Sequence, residues 1–204
     1  YKTAYLESPD GRGIDNGIIF NSNRFRLLDV KGLTVDMGAG YNTRLILEGV
    51  FLFETKDTLY FFVNHWPSRR GGESESEPNR IKAANTLRKE VESILAINSK
   101  SKIIIVGDFN DEPTNLSITE YLKAQPFFCD SLDHKNLPED FGTDLFNLSY
   151  KAWFDGLGSY KYKDDFNMLD QIIISKDLLL EDDLKYICNT FEVYKPYLLS
   201  LIHI

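Results

Sequence analysis

The run Ile-Ile-Ile-Val-Gly at 103–107 constrains this chain more than any other feature, because it is strand-length and apolar without alternation. A strand apolar toward both sides must be covered on both faces, the situation of a central strand in a layered α/β protein. A covering helix is legible just before it. Over Arg80 to Ile97, the residues Ile81, Ala84, Leu87, Val91, Ile94 and Leu95 recur at the helical period. Arg44 to Phe53 and Leu59 to Trp66, aromatic and β-branched, flank the polar Glu54 to Thr58 and predict a hairpin. Gly17 to Phe20 predicts a short strand, and Arg24 to Val35 another with Phe25, Leu27 and Val30 on one face. Gly158 to Lys163 and Asn167 to Ser175 predict two more around the charged turn Lys163-Asp164-Asp165. Ser68 to Asn79 and Asp108 to Asn115 read as loops, the second broken by Pro113. Tyr1 to Asp10 has no strand pattern of its own. With no repeat or linker in view, residues 1–204 read as a single domain, α/β or α+β.

Charge bears on function more than on fold. There are 23 Lys+Arg against 31 Asp+Glu, a net charge of −8. Bulk electrostatics therefore do not suit a grip on nucleic acid, which leaves that role to a local basic cluster. The 43% hydrophobic content excludes disorder and can fill a core. No apolar run approaches the roughly 20 residues that cross a bilayer, and no signal peptide is visible. Two cysteines, Cys129 and Cys188, exclude a disulfide framework and leave either one bridge or two buried thiols. They read here as core residues. The 14 Phe and 11 Tyr read as sheet core and not as stacking platforms.

Chemistry gathers at two strand ends. Gly107-Asp108-Phe109-Asn110 follows the apolar strand directly, where open α/β sheets place their sites. Asn64-His65-Trp66-Pro67-Ser68 closes the second arm of the predicted hairpin, and Arg69, Arg70, Gly71 and Gly72 follow. An imidazole beside guanidinium groups and flexible backbone suits an anionic oxygen ligand. Asp170, between Leu169 and Ile172, reads as an inward carboxylate that needs a partner.

Taken in order, these segments resemble the endonuclease/exonuclease/phosphatase superfamily, the deoxyribonuclease I-like metal-dependent phosphodiesterases. Asp10-Gly-Arg12-Gly-Ile-Asp15 leading into Gly17 to Phe20, the His65 segment, Gly107 to Asn110, and Met168 to Ser175 carry the resemblance. It implies a four-layer α-β-β-α sandwich of two mixed sheets with flanking helices. It also implies water attack on phosphorus assisted by Mg²⁺, with Mn²⁺ or Ca²⁺ as alternatives. Position by position, Asp108 would orient the attacking water and serve as a metal ligand. Asn110 would bond the phosphoryl oxygens, and His65 would donate to a phosphate oxygen with Asp15 keeping it protonated. Arg44, Asn64 and Arg69 would contact the substrate phosphate, and Asp170 would orient the family's general-base His. The implied partner is a phosphoester substrate. Nucleic acid, inositol phosphate, phospholipid headgroup and small phosphoester stay open as its class.

Two family elements are missing from the sequence. The resemblance implies an early Glu as principal metal ligand and a closing Ser-Asp-His that supplies the base. Glu7 sits in the wrong context, no Asp precedes His203, and His134 reads as an exposed loop residue. The apolar tail after Lys195-Pro196 also departs from the family. The expectation is an internal piece of such a hydrolase, incomplete at both ends and inactive or nearly so alone. The alternative is a non-catalytic domain that keeps the fold and binds a phosphorylated partner.

Overall fold

The computed structural model describes residues 1–38, 40–54, 57–129, 144–180 and 182–194. Among them, seven strands build one mixed sheet: β3 (Phe25–Leu33), β4 (Ile46–Phe53), β5 (Asp57–His65), β6 (Lys102–Asp108), β11 (Asp170–Ser175), β8 (Leu145–Asn147) and β7 (Ala124–Pro126), in that spatial order. The apolar strand β6 lies in the middle, parallel to β5 and antiparallel to β11. Helix α1 (Glu73–Ile97) covers one face, packing Ala84, Leu87, Val91 and Ile94 on Phe62, Ile103 and Ile105. The opposite face is covered in part by β1 (Lys2–Tyr5) paired antiparallel with β2 (Gly17–Phe20). There Ala4, Ile18 and Phe20 pack on Leu47, Phe51 and Leu59. The rest of that face meets Phe127, Leu178 and Leu179. A second, short hairpin joins β9 (Tyr160–Tyr162) to β10 (Asp165–Asn167), and α2 spans Tyr150–Phe154. The architecture is thus α/β, with a large mixed sheet between α1 and the β1–β2 layer. None of its described helices is long and apolar enough to cross a membrane.

Several sequence expectations change in physical terms. Tyr1 to Asp10 does contain a strand, which four residues of β1 form by borrowing their pattern from β2. The loop at Ser68 to Asn79 is helical from Glu73, because its polar first turns face Arg69 and Arg80, where no apolar period is needed. The strand at Asn167 to Ser175 is split: Asn167 pairs in β10, and β11 begins at Asp170. Phe25, Leu27 and Val30 do share a face, although their spacing breaks strict alternation. A bulge between Leu27 and Asp29 shifts the register there, as an extra strand residue does. The cysteines are not separate core thiols: Cys129 and Cys188 form a disulfide. His134, His203 and the tail after Pro196 lie outside the described residues.

Candidate functional site

Three strand ends set three side chains in one row. Across β5 and β6, His65 is register partner of Asp108, and across β6 and β11, Asp108 is register partner of Asp170. Ile103 and Ile105 of β6 face α1, so by alternation Asp108 points to the β1–β2 side, and its register partners point with it. His65 Nε2 lies 3.7 Å from Asp108 Oδ2, longer than a hydrogen bond and an ion pair only when the ring is protonated. The preceding position must be glycine: Gly107 has φ 132°, and a Cβ there would lie 2.0 Å from the Asn64 carbonyl oxygen.

The turn after β6 is held from every side. Asn110 is in the left-handed region at φ 52°, and its amide donates to Asp108 Oδ1 at 2.8 Å. Its Nδ2 donates to the Trp66 carbonyl at 3.0 Å, while Trp66 N donates to the Asp108 carbonyl at 2.9 Å. Trp66 and Phe109 meet edge to face at 4.8 Å beneath the row. Next along, Asp111 is fully buried and pairs with Arg80 Nε at 2.6 Å. Ser117 Oγ donates to Asp111 Oδ2 at 2.5 Å, and Gln171 Nε2 donates to its carbonyl at 2.6 Å.

Burial and charge tune the row in opposite senses. Desolvation pushes the Asp108 carboxyl up, reinforced by the charge of Asp170 and opposed by the Asn110 amide, Arg44 and Arg69. Desolvation, then Arg44 and Arg12, push the His65 imidazole down, so the ring favours its neutral form. Asp10 is buried, and the Arg12 guanidinium holds its carboxyl well below the usual carboxylate range.

The residues read from the sequence separate into two groups. His65, Asp108, Asn110 and Asp170 come together, although Asp170 is exposed at the strand mouth and not inward. Asp15 is not the partner of His65: its Oδ1 accepts the Ser8 amide at 2.7 Å, and the carboxylate beside the ring is Asp108. Asn64 is buried, accepting from Trp66 Nε1 at 3.0 Å and donating to the Val106 carbonyl at 3.2 Å, so it faces the core. Arg69 clamps the turn, donating to the Asn110 carbonyl at 2.7 Å, to Glu73 at 3.1 Å and to Asn167 at 3.3 Å. Arg44 is buried, donating to the carbonyls of His65 and Trp66, each at 3.1 Å, and pairing with Asp10 at 3.2 Å. Asp10, Arg80, Asp111 and Gln171 were not singled out as site residues. Arg80 carried a readable signal, since it continues toward the N-terminus the buried stripe that Ala84, Leu87, Val91 and Ile94 form on α1.

Among the described residues, no group of three or more His, Cys, Asp or Glu side chains is arranged to hold an ion. Along the row, Asp108 has two such side chains as register neighbours, His65 and Asp170.

The chain matches the sequence model of the Endonuclease/Exonuclease/phosphatase family over residues 1–201. No curated protein matches it by sequence. Its fold is similar to the human Nocturnin catalytic domain with bound sulfate, at TM-score 0.57 and 20% identity, over 86% of this chain and 60% of that one. It is similar to truncated Caenorhabditis elegans TDP2, at TM-score 0.55 and 16% identity, over 86% and 61%. A mannosyl-6-phosphatase of Bacteroides thetaiotaomicron gives TM-score 0.57 and 14% identity, over 85% and 63%. The chain therefore spans about three fifths of the length of these structures.

Proposed function

This chain belongs to the endonuclease/exonuclease/phosphatase family, and on that premise we propose that it serves hydrolysis of a phosphodiester or phosphomonoester by water attack on phosphorus. The observation that carries the reading is the His65–Asp108–Asp170 row, with a partly desolvated carboxylate between an imidazole and a second acid. Burial raises the proton affinity of Asp108, which suits a group that orients water and takes its proton. Asn110, fixed by the Trp66 carbonyl and the Asp108 cap, is placed to bond a phosphoryl oxygen next to that water. Neutral His65 donates one N–H to the same phosphate and charges more readily once the anion is bound. Asp170, exposed at the mouth, would orient an imidazole arriving from outside these residues.

A divalent cation, Mg²⁺ with Mn²⁺ and Ca²⁺ as alternatives, belongs to the proposal with Asp108 as one ligand. The described residues do not complete a site for it, so no step is drawn through it.

The test is release of p-nitrophenol from mono- and bis-p-nitrophenyl phosphate with each cation, comparing the chain with Asp108→Asn. Turnover that falls by about a hundredfold or more in the variant supports the hydrolase. Phosphate binding without any Asp108-dependent turnover moves the conclusion to a non-catalytic domain that holds phosphorylated partners.

A further inference from the structure

Beside the row lies an open cleft of about 430 Å³, walled by Asp10, Arg12, Tyr41, Arg44, Ser68 and Arg70. Its size is within the range of small-molecule sites. Three guanidinium groups face one carboxylate there, so the cleft carries a net positive charge in a chain of net charge −8. Asp10 acts as a strut: it accepts from Arg12 Nε at 3.0 Å and Nη2 at 2.7 Å, and from Arg44 at 3.2 Å. The Arg12 side chain nevertheless stays 64% exposed, with donors open to the cleft. Arg70 is exposed and has no hydrogen bond or ion pair among the described residues.

The cleft and the row share a wall. Arg44 bonds the carbonyl of His65 itself and that of Trp66, which also receives Asn110. Arg12 and Arg44 both act on the charge of the His65 ring, which places them within electrostatic reach of it. Guanidinium groups in this arrangement recognise phosphate oxygens through paired N–H donors.

We propose that this cleft is a second anion subsite, which takes a phosphate of the same substrate next to the phosphoester at the His65–Asp108 row. The inference rests on the reading of that row as a phosphoester site. It narrows the substrate to molecules with two or more phosphates, either a bisphosphorylated small molecule or the phosphorylated end of a nucleic-acid strand. Arg70 and the outer edge of Arg12 are the recognising groups, and Asp10, itself paired with Arg44, holds Arg12 in place.

Calorimetric titration of the 204-residue chain at low salt tests this with two pairs of probes. One pair is fructose 1,6-bisphosphate against fructose 6-phosphate, and the other is the thymidine dinucleotide with and without a 5′-phosphate. In at least one pair the more phosphorylated probe is expected to bind about tenfold tighter or more, and that ratio should shrink to about threefold or less in Arg70→Gln. The pair with the larger ratio identifies the source, small molecule or strand end. Arg12→Gln is the second variant and should reduce the same ratio. His65→Gln should weaken both members of a pair together and leave their ratio intact. Equal affinity within both pairs overturns the subsite while leaving the hydrolytic reading standing. A ratio that survives both arginine variants overturns it as well, since the second phosphate then binds elsewhere. Failure of every probe to bind overturns both readings.

Discussion

Replacing Arg80 by Met should cost this fold several kcal/mol and should do so through a charge that nothing else can satisfy. Arg80 and Asp111 both have side chains at 0% exposure and lie 2.6 Å apart. Removing one member of a buried pair strands the other in low dielectric, at a cost of about 3–5 kcal/mol. Domains are stable by about 5–15 kcal/mol, so about a fifth or more of the total is at stake. Asp111 would keep the Ser117 hydroxyl, and Arg69 Nη2 at 3.9 Å is too distant to replace the lost partner without moving. Urea unfolding followed by tryptophan fluorescence is the assay. Trp66 is buried against Phe109, two residues from Asp111, and reports on this turn directly. Asp111→Asn in the Arg80→Met background should recover most of the loss, because the stranded charge is then gone. An Arg80→Met midpoint that corresponds to less than about 1 kcal/mol would refute the reasoning, as would a double variant no more stable than the single.

Three other outcomes follow from the same geometry. Gly107→Ala should be destabilised by more than about 3 kcal/mol in the same assay, since its Cβ meets the Asn64 backbone at 2.0 Å in a φ region closed to alanine. Glu48 is buried with Oε2 lacking a hydrogen-bond partner among the described residues, and burial pushes its carboxyl from 4.5 to about 7. Its folded pKa is above the unfolded one, so the stability it contributes is full below 4.5 and is lost as pH rises through about 7. The span is about 3 kcal/mol at most, and Glu48→Gln should flatten that slope and unfold later than the parent at pH 8–9 by thermal melts. Proton NMR of the imidazoles should find His65 titrating below its ordinary 6.5, and Arg12→Gln should move it upward by removing one of the cations that oppose its charging. A downward move would contradict the placement of Arg12 near the ring.

The sheet was legible because its information is apolar. Strand β6, the β4–β5 hairpin and the stripe of α1 are written in Ile, Val, Phe and Leu, whose burial is what periodicity reports. Strand β1 escaped because only Ala4 in its four residues is buried. The first two turns of α1 escaped because their inward residues are Ser76 and Arg80, which a hydropathy pattern scores as surface. The row of His65, Asp108 and Asp170 was legible as motifs at strand ends, yet the supports around it were not.

The arginines make the reason plain, since one residue type takes four roles within one neighbourhood. Arg80 neutralises a buried acid, Arg69 clamps the Asn110 turn, Arg44 braces two carbonyls against Asp10, and Arg70 meets solvent unpaired among the described residues. A guanidinium carries the same charge in each place, so the sequence, which assigns Arg44 and Arg69 to phosphate, does not tell these roles apart. What separates them is whether its donors already have acceptors. Donors held by buried protein oxygens stay with them, because leaving those oxygens unpaired costs more than an exposed phosphate contact returns. By that criterion, Arg69 and Arg44 cannot turn to substrate without loosening the turn and strand end that place Asn110 and His65. Recognition of an anion falls to the guanidinium groups with open donors, Arg70 and the outer edge of Arg12.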